Sequence, residues 1–185
     1  IKFEKIPDNH KITKKWMKYW DKNNTYKFNE NSTKPLYSID TPPPTVSGRM
    51  HIGHAFSYTQ TDFIARYKRM MGYNVYYPFG TDDNGLATEK LIQKETGKTP
   101  KKMTRSEYIK LCLNTLKKLK KTFIQDWKNM GISSDFSYSF SSIDDHARKI
   151  SQKTFIDLYS QKRAYRMESP VLWDIVFQSA VAQAE

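Results

Sequence analysis

The chain has 185 residues, 38% apolar and 14% aromatic, enough to bury a sizeable core and inconsistent with an intrinsically disordered polymer. Lys and Arg number 31 against 19 Asp and Glu, a formal charge of +12, which favours polyanions such as nucleic acid or nucleotides, although a solvated, lysine-rich helix face gives the same imbalance. The single cysteine, Cys112, excludes an internal disulfide framework and a cysteine-cluster metal site, and with no bilayer-length apolar run or signal-peptide core the expected setting is reducing and cytoplasmic, without membrane contact.

Residues 1–35 read as an N-terminal helical lead, in which Phe3, Ile6, Trp16, Trp20 and Tyr26 stand among lysines. Trp16 and Trp20, one turn apart, are expected to dock both indoles onto the body of the protein. "LYSID" (36–40) reads as a short strand stopped by Pro42, Pro43 and Pro44, which cannot donate to a ladder. From Ile52, apolar residues recur at spacings of three and four through Ala55, Phe56, Phe63, Ile64, Tyr67, Met70 and Met71, and Gly72 supplies a stop. This predicts a helix of about five turns whose stripe faces a core.

"YNVYYPF" (73–79) is β-rich, "GTDDNG" (80–85) reads as a loop, and Leu86 to Thr96 as a helix ended by Gly97 and Pro100. Thr104 and Glu107 have capping-box spacing ahead of a stripe formed by Tyr108, Cys112, Leu116, Leu119, Phe123 and Trp127, closed by Gly131. Eleven of the basic residues, against three acidic ones, lie between Lys94 and Lys128, mostly on the opposite face of that helix. A serine-rich loop is expected next, then a helix capped by Ser142 and Asp145 that holds Ile150, Phe155, Leu158 and Tyr159; the end of the chain turns β-like.

The β-α-β-α order predicts an α/β fold with a parallel sheet, in which ligands bind beyond the carboxyl ends of the strands. The loops 41–51 and 80–85 both follow predicted strands and should meet on one rim. The first leads into the N-terminus of helix 52–71, where free N–H groups and the helix dipole favour a phosphate. His51 and His54 would project from that end as donors to phosphate oxygens. Gly53 between them leaves room for a flat ring against the backbone. Two histidines at this spacing are also compatible with ordinary surface residues, and a zinc site lacks a third ligand, so no metal is expected.

"PPPTVSGRMHIGHA" followed by "GTDDNGLATE" some thirty residues on resembles the catalytic domain of class I aminoacyl-tRNA synthetases, and within that class the valyl-tRNA synthetases. The resemblance covers essentially the whole chain. It implies the first half of a doubly wound, Rossmann-like sheet over residues 36–168, with 169–185 starting the connection to an inserted editing domain. It further implies activation of valine with ATP and its Mg2+, followed by transfer to tRNA(Val). His51, Gly53 and His54 would hold ATP, with the two histidines catalytic. Pro43 and Thr45 would line the amino-acid pocket, and Asp82 would pair with the α-ammonium group. A carboxylate suits that task, being an acceptor of opposite charge.

Three features depart from the family pattern. The lysine signature KMSKS is absent from these residues, Trp173 and Asp174 stand where relatives often carry W-C-x-x-C, and position 45 is threonine where many valyl enzymes have asparagine. The chain alone is therefore expected to be inactive without the remainder of the synthetase, with its editing, KMSKS and anticodon-binding regions. An isoleucyl-tRNA synthetase, a stand-alone HxGH nucleotidyltransferase and a basic RNA-binding module on the same fold are the alternatives.

Overall fold

A computed structural model describes residues 8–176 and 178–181; Phe3, Ile6 and the tail from 182 lie outside the described residues. The chain divides into two compact units, Ile1–Asp144 and Asp145–Glu185. In the first, α1 (Asn9–Lys22) precedes β1 (Leu36–Ser38), α2 (Ile52–Met70), β2 (Asn74–Tyr76), β3 (Pro78–Thr81), α3 (Leu86–Thr96), α4 (Arg105–Met130) and β4 (Asp135–Ser141).

Strand β1 runs parallel to β2 with Tyr37 opposite Val75, and β3 runs parallel to β4 with Gly80 opposite Phe140 and Thr81 opposite Ser141. β2 and β3 are one run of chain broken only at Tyr77, because Pro78 has no N–H to continue the ladder with β1. The run 74–81 thus lies between β1 on one edge and β4 on the other, all parallel, with helices as the crossovers. Val75, Tyr77 and Phe79 are buried along it and meet Phe123 and Trp127 in the core. Gly80 is required by close approach, since a Cβ there would sit 2.2 Å from the Phe140 ring. This is the expected α/β, Rossmann-like arrangement.

The helices follow their sequence signals unequally. α4 starts with the expected Thr104–Glu107 capping box, ends at Gly131, and buries Tyr108, Leu116, Phe123 and Trp127. α2 spans the predicted residues but corrects the prediction of its inward face. Phe56, Phe63, Tyr67 and Met70 are exposed, while Asp62 and Ala65 are buried. The inner face is held by polar groups: Asp62 accepts from Arg66 Nε at 2.6 Å and from the Ser133 backbone N–H at 2.7 Å, and Arg69 donates to Ser133 Oγ at 2.6 Å. In α1 only Trp20 docks, its ring beside Tyr26, Gly131 and the Arg66 guanidinium; Trp16 stacks on Trp20 and stays 43% exposed.

Three boundaries also differ from expectation. Gly80 and Thr81 belong to β3, so the second loop starts at Asp82. The supposed serine-rich loop contains strand β4, whose "DFSYSFS" alternates aromatic and small residues with period two. In the second unit α5 (Asp145–Ser160) begins at Asp145 itself, which lies in its first turn rather than at a cap. β5 (Trp173–Asp174) and β6 (Ser179–Ala180) form an antiparallel pair there.

Candidate active site

The first element of the site is the entry to α2. His51 is the N-cap, in extended conformation at φ −120°, and its Nδ1 accepts the backbone N–H of His54 at 3.4 Å, a long cap bond. To do so the imidazole folds back over Gly53, where a Cβ would stand 3.1 Å from its Cε1. The ring expected over Gly53 is thus, in this structure, that of His51. His51 and His54 stack with centroids 3.9 Å apart and 22° between planes. The N–H groups of Ile52 and Gly53 have no partner among the described residues, so the positive end of α2 stays available to an anion.

His54 is half-buried against α4, with its centroid 5.7 Å from that of Trp127 and 6.3 Å from that of Phe123. Burial first, and the charge of His51 second, hold its imidazole below the ordinary value. At neutral pH the ring is therefore uncharged and offers one N–H donor. Its Nδ1 is buried with no hydrogen-bond partner.

The second element is the rim where the two loops meet. Thr45 pairs in parallel with Asp82: the Val46 N–H donates to Asp82 O and the Asp82 N–H to Pro44 O, both at 2.9 Å. These bonds extend the sheet beyond its named strands, so the two loops are fixed to each other by backbone. Thr45 Oγ1 donates to Asp82 Oδ2 at 3.2 Å, and Ser142 Oγ and the Asn84 N–H donate to Asp82 Oδ1 at 2.9 and 3.2 Å. Pro43 is half-buried beside this pairing.

Trp127, fully buried, joins the two elements. Its ring meets His54, Tyr58 of α2 and Phe79 of β3, and the Tyr58 hydroxyl donates to Pro42 O. The loop leading to α2 is also tied to α4 by Arg49, which donates to Asp126 from Nε at 2.6 Å and from Nη2 at 2.8 Å. Those hydrogen bonds hold the Asp126 carboxyl below the usual carboxylate range despite partial burial.

Sequence reasoning singled out the histidines, Gly53, Pro43, Thr45 and Asp82, and the structure brings Thr45 directly onto Asp82 and His51 directly onto His54. It missed Asp83 and Lys120. Asp83 is buried, and its Oδ2 takes Lys120 Nζ at 2.6 Å and Thr81 Oγ1 at 2.9 Å. Lys120 had the look of one more solvated lysine. The adjacent acids in "TDDNG" were the available signal, since two neighbouring side chains on an extended segment point to opposite sides and only one can face the rim.

The family model described as tRNA synthetases class I (I, L, M and V) matches residues 15–185. The chain belongs to this family. It is 45% identical over 98% of its length to the valine–tRNA ligase of Rickettsia conorii (strain ATCC VR-613 / Malish 7), and 42% identical over 92% of its length to that of Bifidobacterium longum (strain DJO10A). This synthetase chain spans 23% and 22% of the lengths of those two relatives. Its fold matches the crystal structure of the ternary complex of Agrobacterium radiobacter K84 agnB2 LeuRS with tRNA and LeuAMS, with TM-score 0.74 and 24% identity over 96% of this chain and 21% of that one. Among the described residues of the synthetase chain no His, Cys, Asp and Glu cluster with the makings of a metal site occurs, and no helix is long and apolar enough to cross a membrane.

Proposed function

We propose that this chain is part of a valine–tRNA ligase and carries the half of its active site built around the "HIGH" sequence. The observation that carries the reading is the Thr45–Asp82 pairing, which joins both signature loops on one rim beside the start of α2, in a chain 45% identical to a valine–tRNA ligase.

The residues present fit a nucleotide triphosphate. The N–H groups of Ile52 and Gly53, the dipole of a 19-residue helix and two imidazoles form a donor set with no acid in the helix's first turn. On this reading His51 swings off Gly53 so that the nucleotide lies against the bare backbone. His51 and His54 then donate to phosphate oxygens as the valine carboxylate attacks the α-phosphate, where negative charge builds. The uncharged state of His54 spares the site like-charge repulsion from its neighbour. Mg2+ enters with the phosphates, and no side chain of this chain is assigned to it.

Asp82 pairs with the α-ammonium group of valine, and Pro43 with Thr45 shapes the pocket for its side chain. tRNA(Val) is the acceptor of the activated valine. Residues 1–35 are the lead, 36–168 the first half of the catalytic domain, and 169–185 the start of the connection to an inserted editing domain. The KMSKS, editing and anticodon-binding regions come from the remainder of a longer synthetase acting in the cytoplasm, and these 185 residues alone form no valyl-adenylate.

The test is valine-dependent ATP–pyrophosphate exchange by the complete gene product. His54→Ala lowers exchange by about 10² or more, the scale of removing a preorganised charge-stabilising donor. Asp82→Ala weakens valine binding and leaves ATP binding close to normal. Undiminished exchange in a well-folded His54→Ala variant, or activation of isoleucine in preference to valine, overturns the reading.

A further inference from the structure

The hydrogen bonds of Asp82 can be counted against its capacity. A carboxylate has about four lone-pair sites. Oδ1 uses both of its own on Ser142 Oγ and the Asn84 N–H, while Oδ2 uses one on Thr45 Oγ1. One site remains, on Oδ2. The direction in which that site points is set by whatever holds Oδ1.

Ser142 is itself held in one orientation. Its Oγ accepts the Asp83 backbone N–H at 2.9 Å, so its one hydroxyl proton is directed to Asp82 Oδ1. Its backbone N–H donates to Thr81 O at 3.0 Å, continuing the β3–β4 ladder by one residue. Beneath it lies the buried Asp83 carboxylate, whose Oδ2 receives Lys120 Nζ from α4, Thr81 Oγ1 from β3 and Ser141 Oγ from β4. Three elements therefore converge on one oxygen and lock the ends of β3 and β4 together. A surface loop on its own would leave the Asp82 side chain free to turn; here its orientation is set from the core.

We propose that Ser142 is a positioning residue for Asp82, aiming its free Oδ2 site at the α-ammonium group of the substrate, with the buried Asp83–Lys120 pair as the anchor that places Ser142. This rests on the assignment of Asp82 as the partner of that ammonium group. It adds a specific demand: Ser142, acting through Asp82, should affect only ligands that carry the amine.

The experiment measures four ligands on the complete enzyme: valine and ATP as substrates, and as inhibitors valinol, which keeps the amine and lacks the carboxylate, and isovalerate, which keeps the carboxylate and lacks the amine. In Ser142→Ala the KM for valine and the Ki for valinol rise about tenfold, the scale of losing one hydrogen bond to a charged group, while the values for ATP and isovalerate move by less than about twofold. Ser142→Thr, which keeps the hydroxyl, restores valinol binding. Lys120→Met shifts the same two ligands in the same direction, by a smaller factor, because it acts through the anchor. An equal loss for all four ligands in Ser142→Ala means general disruption of the rim and overturns the proposal, as does unchanged valinol binding. Asp82→Ala separates the two levels. If it weakens valinol and Ser142→Ala does not, only the positioning role fails; if Asp82→Ala itself spares valinol, the assignment of Asp82 and the positioning role fall together.

Discussion

Helices α2 and α4 both carry apolar residues at spacings of three and four, yet α4 buries that stripe while α2 leaves Phe56, Phe63, Tyr67 and Met70 in solvent, the last 85% exposed. α2 is instead held by its polar face to the segment between α4 and β4, with Asp62 and Arg69 on the backbone and hydroxyl of Ser133 and Arg66 on the carbonyl of Gly131. The difference shows that an amphipathic repeat reports a face that wants covering, not the neighbour that covers it. In α4 the neighbour is the sheet of this same unit. For α2 the inner contact is geometric and directional, which suits a helix whose first turn must be placed accurately at a site.

The sharpest way to break this comparison is at Trp127, where the two helices touch. Trp127→Ala removes the ring shared by His54, Tyr58, Phe79 and Phe123 and should cost about 4 kcal/mol, the range for truncating a fully buried aromatic residue. A chemical denaturation midpoint close to that of the unaltered chain would show that the core lies elsewhere.

Next in size is the polar face of α2. Asp62→Ala leaves the buried Ser133 N–H without its acceptor and takes the carboxylate from Arg66, which is part-exposed and keeps Tyr26 and Gly131, and should cost about 2 kcal/mol, whereas replacing Asp62 and Arg66 together by Leu and Met should cost less. If the double replacement is the worse of the two, the ion pair itself is the source of stability, and the view of it as a directional placement device is wrong.

A smaller, pH-dependent effect belongs to His54. It faces His51 on one side, and on the other the uncharged Phe123 and Trp127 of α4. Its folded-state pKa is lowered by burial and then by His51, so the unfolded chain binds more protons around that pH. Stability from this group is therefore complete above the unfolded imidazole value of about 6.5 and declines as pH falls below it. His54→Gln should flatten the decline seen in thermal melts between neutral and mildly acidic pH; superimposable profiles would contradict the burial argument.

The smallest effect is expected on the outer face of α2. Phe63→Ser and Phe56→Ser in the 185-residue chain should each change stability by no more than about 0.5 kcal/mol, as for exposed positions in general. A loss several times larger would mean that the stripe is covered in solution, by a second copy for instance, which sedimentation would reveal. The same substitutions in the complete gene product sharpen the comparison, since a larger loss there than in the short chain measures how far the remainder of the polypeptide covers this face.

Much of the architecture was legible because its signals are local. The Thr104–Glu107 box and the glycines at 72, 97 and 131 act within a few residues of themselves, and each marked its boundary, whereas β1 ends at Ser38, short of the expected stop at the prolines. Strand β4 escaped because its serines read as loop composition, although Phe136, Tyr138 and Phe140 alternate as a strand requires. Trp16 and Trp20 have equal periodicity, but only the one that meets Arg66, Tyr26 and Gly131 has anything to dock on.

By itself, then, the sequence determined the α/β class, the order of elements, the family to which the paired motifs pointed, and the presence of Thr45 and Asp82 on loops beyond strand ends with His51 and His54 at the start of α2. Only the tertiary structure decided that α2 turns its acidic and basic residues inward, that the His51 ring lies over Gly53, and that Lys120 leaves a solvated row to meet Asp83. Backbone preferences and periodicity are properties of neighbours in the chain. A hydrogen bond between residues 82 and 142, or an ion pair between 83 and 120, depends on where separate elements come to rest, and no local pattern encodes it.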